Sequence, residues 1–423
     1  AAPLRYERVG VPCRSNGSIT VDILHSAAPA SPILIYLPAG PVMPDYRDEE
    51  ERVVSVLAAA SKATIARVNY RASSEHQYPT PYHDVLFGFD WIRDNLLHHD
   101  SSSAHRPYLA KMGVCGELLG GSLATMLALT ECHRGESRIG AAAVNNPIVD
   151  WVFPDDLPAV PATELPDPPA PDETSFPAEE DLMAWWSQKG KAEASPAAQK
   201  QSKRAKKPSP PTSWRMHQDN TVIPTLTLSG ERDVLFRRPE DYFDRFASPI
   251  HFFRSPHGHL LYPTSDDDVA SSSPASNIEP LDVEAQMSLN HYQSFDDTPT
   301  TPELPTLARC RAYARIYPPA GTNISLPAMH ITTGLQSPLS DQASELAKMV
   351  QRSIARQMLK RQAGRSRWLD AKEKETYEKY ASDKVRYVKH ENLGLWTEHS
   401  DNPNWNSHVE VIGTWMAKSL EKD

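Results

Sequence analysis

Gly116-Glu117-Leu118-Leu119-Gly120-Gly121 stands between the apolar run Lys111-Met112-Gly113-Val114-Cys115 and a helical pattern from about Gly121 to Cys132. An apolar run that passes into a helix over so few residues reads as a buried strand feeding a sharp turn. The three glycines suit that turn. Without a Cβ they let strand and helix backbones approach closely, and one side chain is left above the sheet at the positive end of a helix.

Working outward, the same alternation repeats. Arg5–Pro12 and Ser18–Leu24 alternate polar and apolar residues, as half-exposed antiparallel strands do. Ile33–Leu37 and Thr64–Val68 are more uniformly apolar and fit buried parallel strands, with a helical pattern over Glu49–Ala60 between them. Pro81–Leu97 places Val85, Leu86, Phe89 and Ile92 on one helical stripe, and Ile139–Val144 closes the series as a strand. Strands alternating with helices through right-handed crossovers predict an α/β class fold, a doubly wound, mostly parallel sheet with helices on both faces.

After Trp151 the texture changes. Of the 38 prolines in 423 residues, 12 fall within 151–215, so the excess is local rather than a mark of general disorder. Residues 152–222 are expected to be a Pro-rich insertion or cap. It contains the basic stretch Lys200-Gln201-Ser202-Lys203-Arg204-Ala205-Lys206-Lys207, which reads as solvated loop ahead of a localisation signal. Residues 264–305 form a second, Ser- and Asp-rich insertion with little to bury. Both interrupt one domain covering 1–423 without ending it. Residues 306–423 are expected to complete the sheet, through a strand at Ala328–Thr332, a long helix at Ser340–Lys360, a strand at Val385–Val388 and a helix at Ser407–Ser419.

Composition excludes several classes. No run of about 18 apolar residues exists to span a membrane, and a net charge of -10 argues against nucleic acid as a partner. Four scattered cysteines form no framework. With no signal-peptide core in the first ten residues, they suggest a soluble, intracellular protein, cytoplasmic ahead of an organelle. No spaced His and carboxylate set makes a metal site, and no G-x-G-x-x-G or P-loop is present, so no cofactor is expected.

The glycine turn also carries a resemblance. Gly116 through Ala124 resembles the nucleophile elbow G-[DE]-S-A-G-G-x-L-A of the hormone-sensitive-lipase-like carboxylesterases, an α/β-hydrolase family. Val68-Asn69-Tyr70-Arg71-Ala72-Ser73-Ser74-Glu75-His76-Gln77-Tyr78-Pro79 is similar to that family's V-D-Y-R-L-A-P-E-H-x-[FY]-P. His83-Asp84-Val85, Trp91-Ile92 and Pro147-Ile148-Val149-Asp150 fit as well, in order, over about residues 30–150. The frame Gly116, Gly120 and Gly121 is kept, but Leu118 stands where the family has its serine, and leucine has neither a lone pair to attack with nor a proton to give up. The family's oxyanion loop H-G-G-G corresponds to Pro38-Ala39-Gly40-Pro41, whose last residue has no N–H to donate.

Two alignments compete for the remaining triad members. One matches the family's G-x-x-D-P-L-x-D to Gly334-Leu335-Gln336-Ser337-Pro338-Leu339-Ser340-Asp341, making the acid Ser337. Its histidine loop is Glu391–Trp396, with Leu395 or Trp396 at the histidine's place and His390 and His399 off register. The rival reads Thr225–Leu228 as the preceding strand, Asp233 as the acid and Pro256-His257-Gly258 as the histidine loop. The first is preferred, because it supplies acid, helix, strand, histidine position and helix in order. It implies a hydrolase fold without catalytic residues, kept for binding or as a scaffold. Its Pro- and charge-rich insertions would suit protein partners, and its vestigial pocket an apolar small molecule. The alternative is an active enzyme of the same fold, a carboxylic ester hydrolase or a non-hydrolytic lyase or cyclase, moving protons with Asp233, His257 or Glu117.

Overall fold

Runs that are apolar at every position become interior strands, and the alternating N-terminal runs become an edge. A computed structural model describes residues 5–26, 31–43, 47–97, 112–134, 139–160, 164–168, 175–177, 211–262, 305–319, 321–365, 368–396 and 404–421. The basic stretch 200–207, nearly all of 264–305 and His399 lie outside the described residues. The first half gives β1 (Arg5–Pro12), β2 (Ser18–His25), β3 (Ile33–Leu37), α1 (Arg47–Ser61), β4 (Thr64–Asn69), α2 (Thr80–Leu96), β5 (Met112–Glu117), α3 (Leu118–Thr130) and β6 (Ile139–Asn145). There follow β7 (Ser175–Pro177), α4 (Ser213–Met216), α5 (Thr225–Leu235), β8 (Gly258–Leu261), β9 (Thr306–Arg309) and β10 (Tyr313–Arg315). The chain then forms β11 (Ala328–Gly334), α6 (Ser340–Ala363), α7 (Ala371–Lys384), β12 (Val385–His390) and α8 (Trp405–Glu421).

Eight strands form one sheet in the order β1-β2-β4-β3-β5-β6-β11-β12. β1 pairs antiparallel with β2, and β2 with β4; every other neighbour pair is parallel. Successive residues of the central strands face opposite sides. Ile33, Ile35 and Leu37 join a core that includes Val85 and Phe89 of α2, Leu123 and Leu127 of α3, and Leu346 and Val350 of α6. Leu34 and Tyr36 face the other side, with Val53 and Leu57 of α1 and Ile412 and Met416 of α8. The α3 side chains from Leu118 to Leu129 are all buried, as its apolar surface on every side requires.

Several expectations need correcting. α3 begins at Leu118, three residues before the expected Gly121, because the turn is completed within β5 and the first helical residue. β9 and β10 do not extend the main sheet: β9 pairs with β8, and β10 with β7, in two small antiparallel sheets. Among the described residues of 306–423, β11 and β12 complete it. Thr225–Leu228, a strand in the rival alignment, is the first turn of α5, which buries Thr225, Leu228, Arg232 and Leu235 at helical spacing.

Candidate functional site

The parallel strands end together. Glu117 lies beside Asn145, Asn145 beside Thr332, and Gly334 beside His390, so the loops after β5, β6, β11 and β12 emerge on one edge of the sheet. Ligands of open α/β sheets bind outside that carboxyl edge.

Sterics force the elbow. A Cβ on Gly116 would lie 2.4 Å from Gly120 O, one on Gly120 2.2 Å from both Leu37 O and Pro38 O, and one on Gly121 3.2 Å from Asn145 O. Leu118 sits at the apex with φ of +51°, a left-handed conformation that costs a non-glycine residue about 1–2 kcal/mol. It is fully buried, and so, to within 1%, is Leu119. Its carbonyl accepts Ile148 N–H at 3.4 Å, tying the apex to the loop after β6.

The loop after β3 packs on the elbow. Gly40 has φ of +81°, and a Cβ there would meet Leu119 Cδ2 and Tyr70 Oη at 2.9 Å, so the Leu119 side chain occupies the ground beside this loop. Tyr70 Oη donates to Pro38 O at 2.7 Å, and Ala39 N–H is directed at Glu50 Oε1 at 3.4 Å. Ala39 N–H thus serves a carboxylate of the fold, and Pro41 has none.

Glu117 is fully buried and accepts from Trp396 N at 2.7 Å and from Asn145 Nδ2 at 2.6 Å. Both bonds fall on Oε1, so that oxygen braces the loop after β12. Asn145 Nδ2 also donates to Gly394 O, while Asn145 Oδ1 accepts from Thr332 Oγ1. Asn146 donates to Leu393 O and accepts from Thr333 Oγ1. Sequence reading misses this buried, satisfied network; its signal is the pair of asparagines closing an apolar strand just before Pro147.

Ser337 is buried, and its Oγ accepts Leu339 N–H at 3.2 Å at the entry to α6. Gly334 packs on the 392–394 backbone so closely that a Cβ would fall 2.2 Å from Leu393 O. The loops bearing Leu118, Ser337 and Leu395 are thus brought to one edge. Leu395 lies in the same core as Leu118, whereas Trp396 turns to the opposite face, among Tyr36, Leu57 and Met416.

Of the fallback residues, Glu117 stands at the elbow, while Asp233 and His257 keep other partners. Asp233, on α5, is exposed and pairs with Arg232 Nε at 3.1 Å and Tyr242 Oη at 3.5 Å. His257 lies beside Arg254, Glu345 and Asp150, and the Arg254 guanidinium together with burial pushes its pKa down to about 4. Arg254 joins Asp150 Oδ2 at 2.8 Å and Glu345 Oε1 at 2.6 Å. Burial alone would raise the Asp150 carboxyl, but Arg254 and His251 hold it below its ordinary range. Burial pushes His251 down to about 4. Among the described residues no group of His, Cys, Asp and Glu could hold a metal ion, and no helix is long and apolar enough to cross a membrane.

Residues 35–250 match the family profile described as an alpha/beta hydrolase fold. The chain belongs to this α/β-hydrolase family, in its hormone-sensitive-lipase-like branch. An esterase of the archaeon Pyrobaculum calidifontis superposes with a TM-score of 0.53 at 16% identity, covering 98% of this chain and 84% of its own. Carboxyl esterase 2 of the fungus Tuber melanosporum gives 0.53 at 11% identity, covering 99% and 87%. At such identities these likenesses establish the α/β-hydrolase fold. A tuliposide A-converting enzyme (b1, amyloplastic) of Tulipa gesneriana is 31% identical over 94 residues, 21% of this chain and 23% of the relative. The matched stretch therefore spans under a quarter of that relative's length.

Proposed function

We propose that this carboxylesterase-like α/β-hydrolase binds rather than hydrolyses. The observation that carries the reading is Leu118: the strained apex of the elbow, where this fold presents its nucleophile, holds a fully buried hydrocarbon side chain. The loop after β3 supports it. Losing one oxyanion donor costs about 100- to 1000-fold in turnover, and Pro41 lacks an N–H while Ala39 N–H faces Glu50. Residual catalysis without a triad rests on the oxyanion hole and on binding, so loss of both parts leaves little. Leu118 and Leu119 fill the ground above the elbow, so the binding role rests more on protein partners, through tracts 152–222 and 264–305, than on a small apolar ligand.

The test is chemical. The chain should show no labelling by a fluorophosphonate probe and no turnover of short p-nitrophenyl esters above a heat-denatured control. Clear labelling or turnover refutes the reading. Size-exclusion and pull-down from the native source test the partner role, and a clean monomer without partners counts against it.

A further inference from the structure

At the end of the sheet opposite the elbow lies a cleft of 190 Å³, where the turn after α3, the approach to β11, the C-terminal half of α6 and the end of α7 meet. Its charged lining is Arg134, Arg361 and Lys384, one from each of three chain segments, and no carboxylate of the described residues lines it. Several arginines elsewhere are neutralised, as Arg67 is by Glu50, Arg254 by Glu345 and Arg365 by Glu373. In a chain of net charge -10, a meeting of three cations without an acid runs against the general balance.

The backbone beneath these cations is braced. Arg134 N donates to Asn323 O at 2.8 Å, and Asn323 Nδ2 returns a bond to Arg134 O at 3.3 Å. Ser325 N donates to Cys132 O at 2.9 Å, and Gln357 Nε2 to Ile324 O at 2.6 Å. Ser325 also lines the cleft, and Tyr380, 37% exposed, stands on its wall. Planar guanidinium forks match the oxygens of a phosphoryl group two at a time, and an ammonium adds a point charge.

We infer that this cleft binds a small phosphoryl-bearing anion, at a site separate from the elbow and independent of whether the elbow is catalytic. Cations also favour the last turn of a helix, where Arg361 and Lys384 stand on α6 and α7. That role accounts for each singly, and not for their convergence with Arg134.

Calorimetric titration of the whole chain with inorganic phosphate and with phenyl phosphate, at ionic strength held constant with chloride, tests the site. Saturable binding is expected. Tighter binding of phenyl phosphate marks a monoester ligand that uses the Tyr380 wall, and equal affinity marks free phosphate. Arg361→Gln and Lys384→Gln should each weaken binding on the order of tenfold, the loss of one charge-assisted contact, with circular dichroism unchanged. Absence of saturable binding at millimolar phosphate overturns the inference. So do variants that bind like wild type, or that lose stability in chloride while keeping their phosphate affinity, since these would assign the cations to the helix ends.

Discussion

Replacing Leu118 distinguishes a side chain that holds the elbow together from one that lines an open pocket. Leu118 is fully buried and belongs to the core shared by β3, β5, α2 and α3. Leu118→Ala should therefore cost about 2–5 kcal/mol, the transfer term plus the cavity left behind. Leu118→Ser should cost the same and about 1–3 kcal/mol more where its hydroxyl finds no partner. Leu118→Gly breaks the usual order. In most settings glycine is worse than alanine by about 0.5–1 kcal/mol, but at φ of +51° it escapes the left-handed penalty of about 1–2 kcal/mol. The Leu118→Gly variant should thus equal or exceed the Leu118→Ala variant in stability. Urea unfolding with a constant m-value reads all three. If Leu118→Ser falls within about 0.5 kcal/mol of wild type, the range of an ordinary surface substitution, the side chain faces open space and the filled-elbow reasoning fails.

Arg254→Met leaves the buried Asp150 and the half-buried Glu345 without their cation, and should cost about 3–5 kcal/mol in urea unfolding, chiefly through Asp150. Adding Asp150→Asn and Glu345→Gln should recover part of that loss, and no recovery would show that the guanidinium acts by packing. Stability should also fall on acidification. His251 and His257 have folded pKa values lowered from 6.5 to about 4, so the unfolded chain takes up their protons first. Their contribution is intact above pH 6.5 and is lost as pH falls from 6.5 to 4, at no more than about 1.4 kcal/mol per pH unit for each. Asp150, held below its ordinary range, adds its loss at lower pH. A flat urea midpoint between about pH 7 and 5, a range that spans the unfolded histidine pKa, would contradict this.

What the sequence made legible was whatever depends on burial and on glycine. Ile33–Leu37 and Ile139–Asn145 are buried at every position, and that uniformity alone marks interior parallel strands. Periodicity passes over α7, which buries only Ala381 and so carries no apolar stripe. Its signal is polar: Asp370 Oδ1 accepts Glu373 N–H at 2.7 Å, and Glu373 Oε2 accepts Leu369 N–H at 2.8 Å, a reciprocal cap legible as D-x-x-E. The Thr225–Leu228 run misleads because four residues with two apolar members fit either period. The asparagine network at the site is long-range, joining residues 249 and 247 apart in the chain, and nothing in local pattern announces such pairing.

The elbow shows why frame and chemistry can part. Gly116 and Gly120 are required by the fold itself, since a side chain at either would enter the backbone of α3 or β3 whatever the apex residue does. Glu117 likewise serves the fold, by holding Trp396 N and Asn145. The apex is different. A nucleophile there contributes nothing to packing and sits in a strained conformation, so the fold asks only that the residue tolerate a positive φ. A buried leucine offsets that strain with apolar burial of about 1.5–3 kcal/mol, which an exposed serine hydroxyl cannot supply. In the proposed binding role, Leu118 and Leu119 therefore act as the packing of a platform whose geometry no longer answers to a reaction. That is why the glycines alone, read without the residue between them, identify the fold and are silent on catalysis.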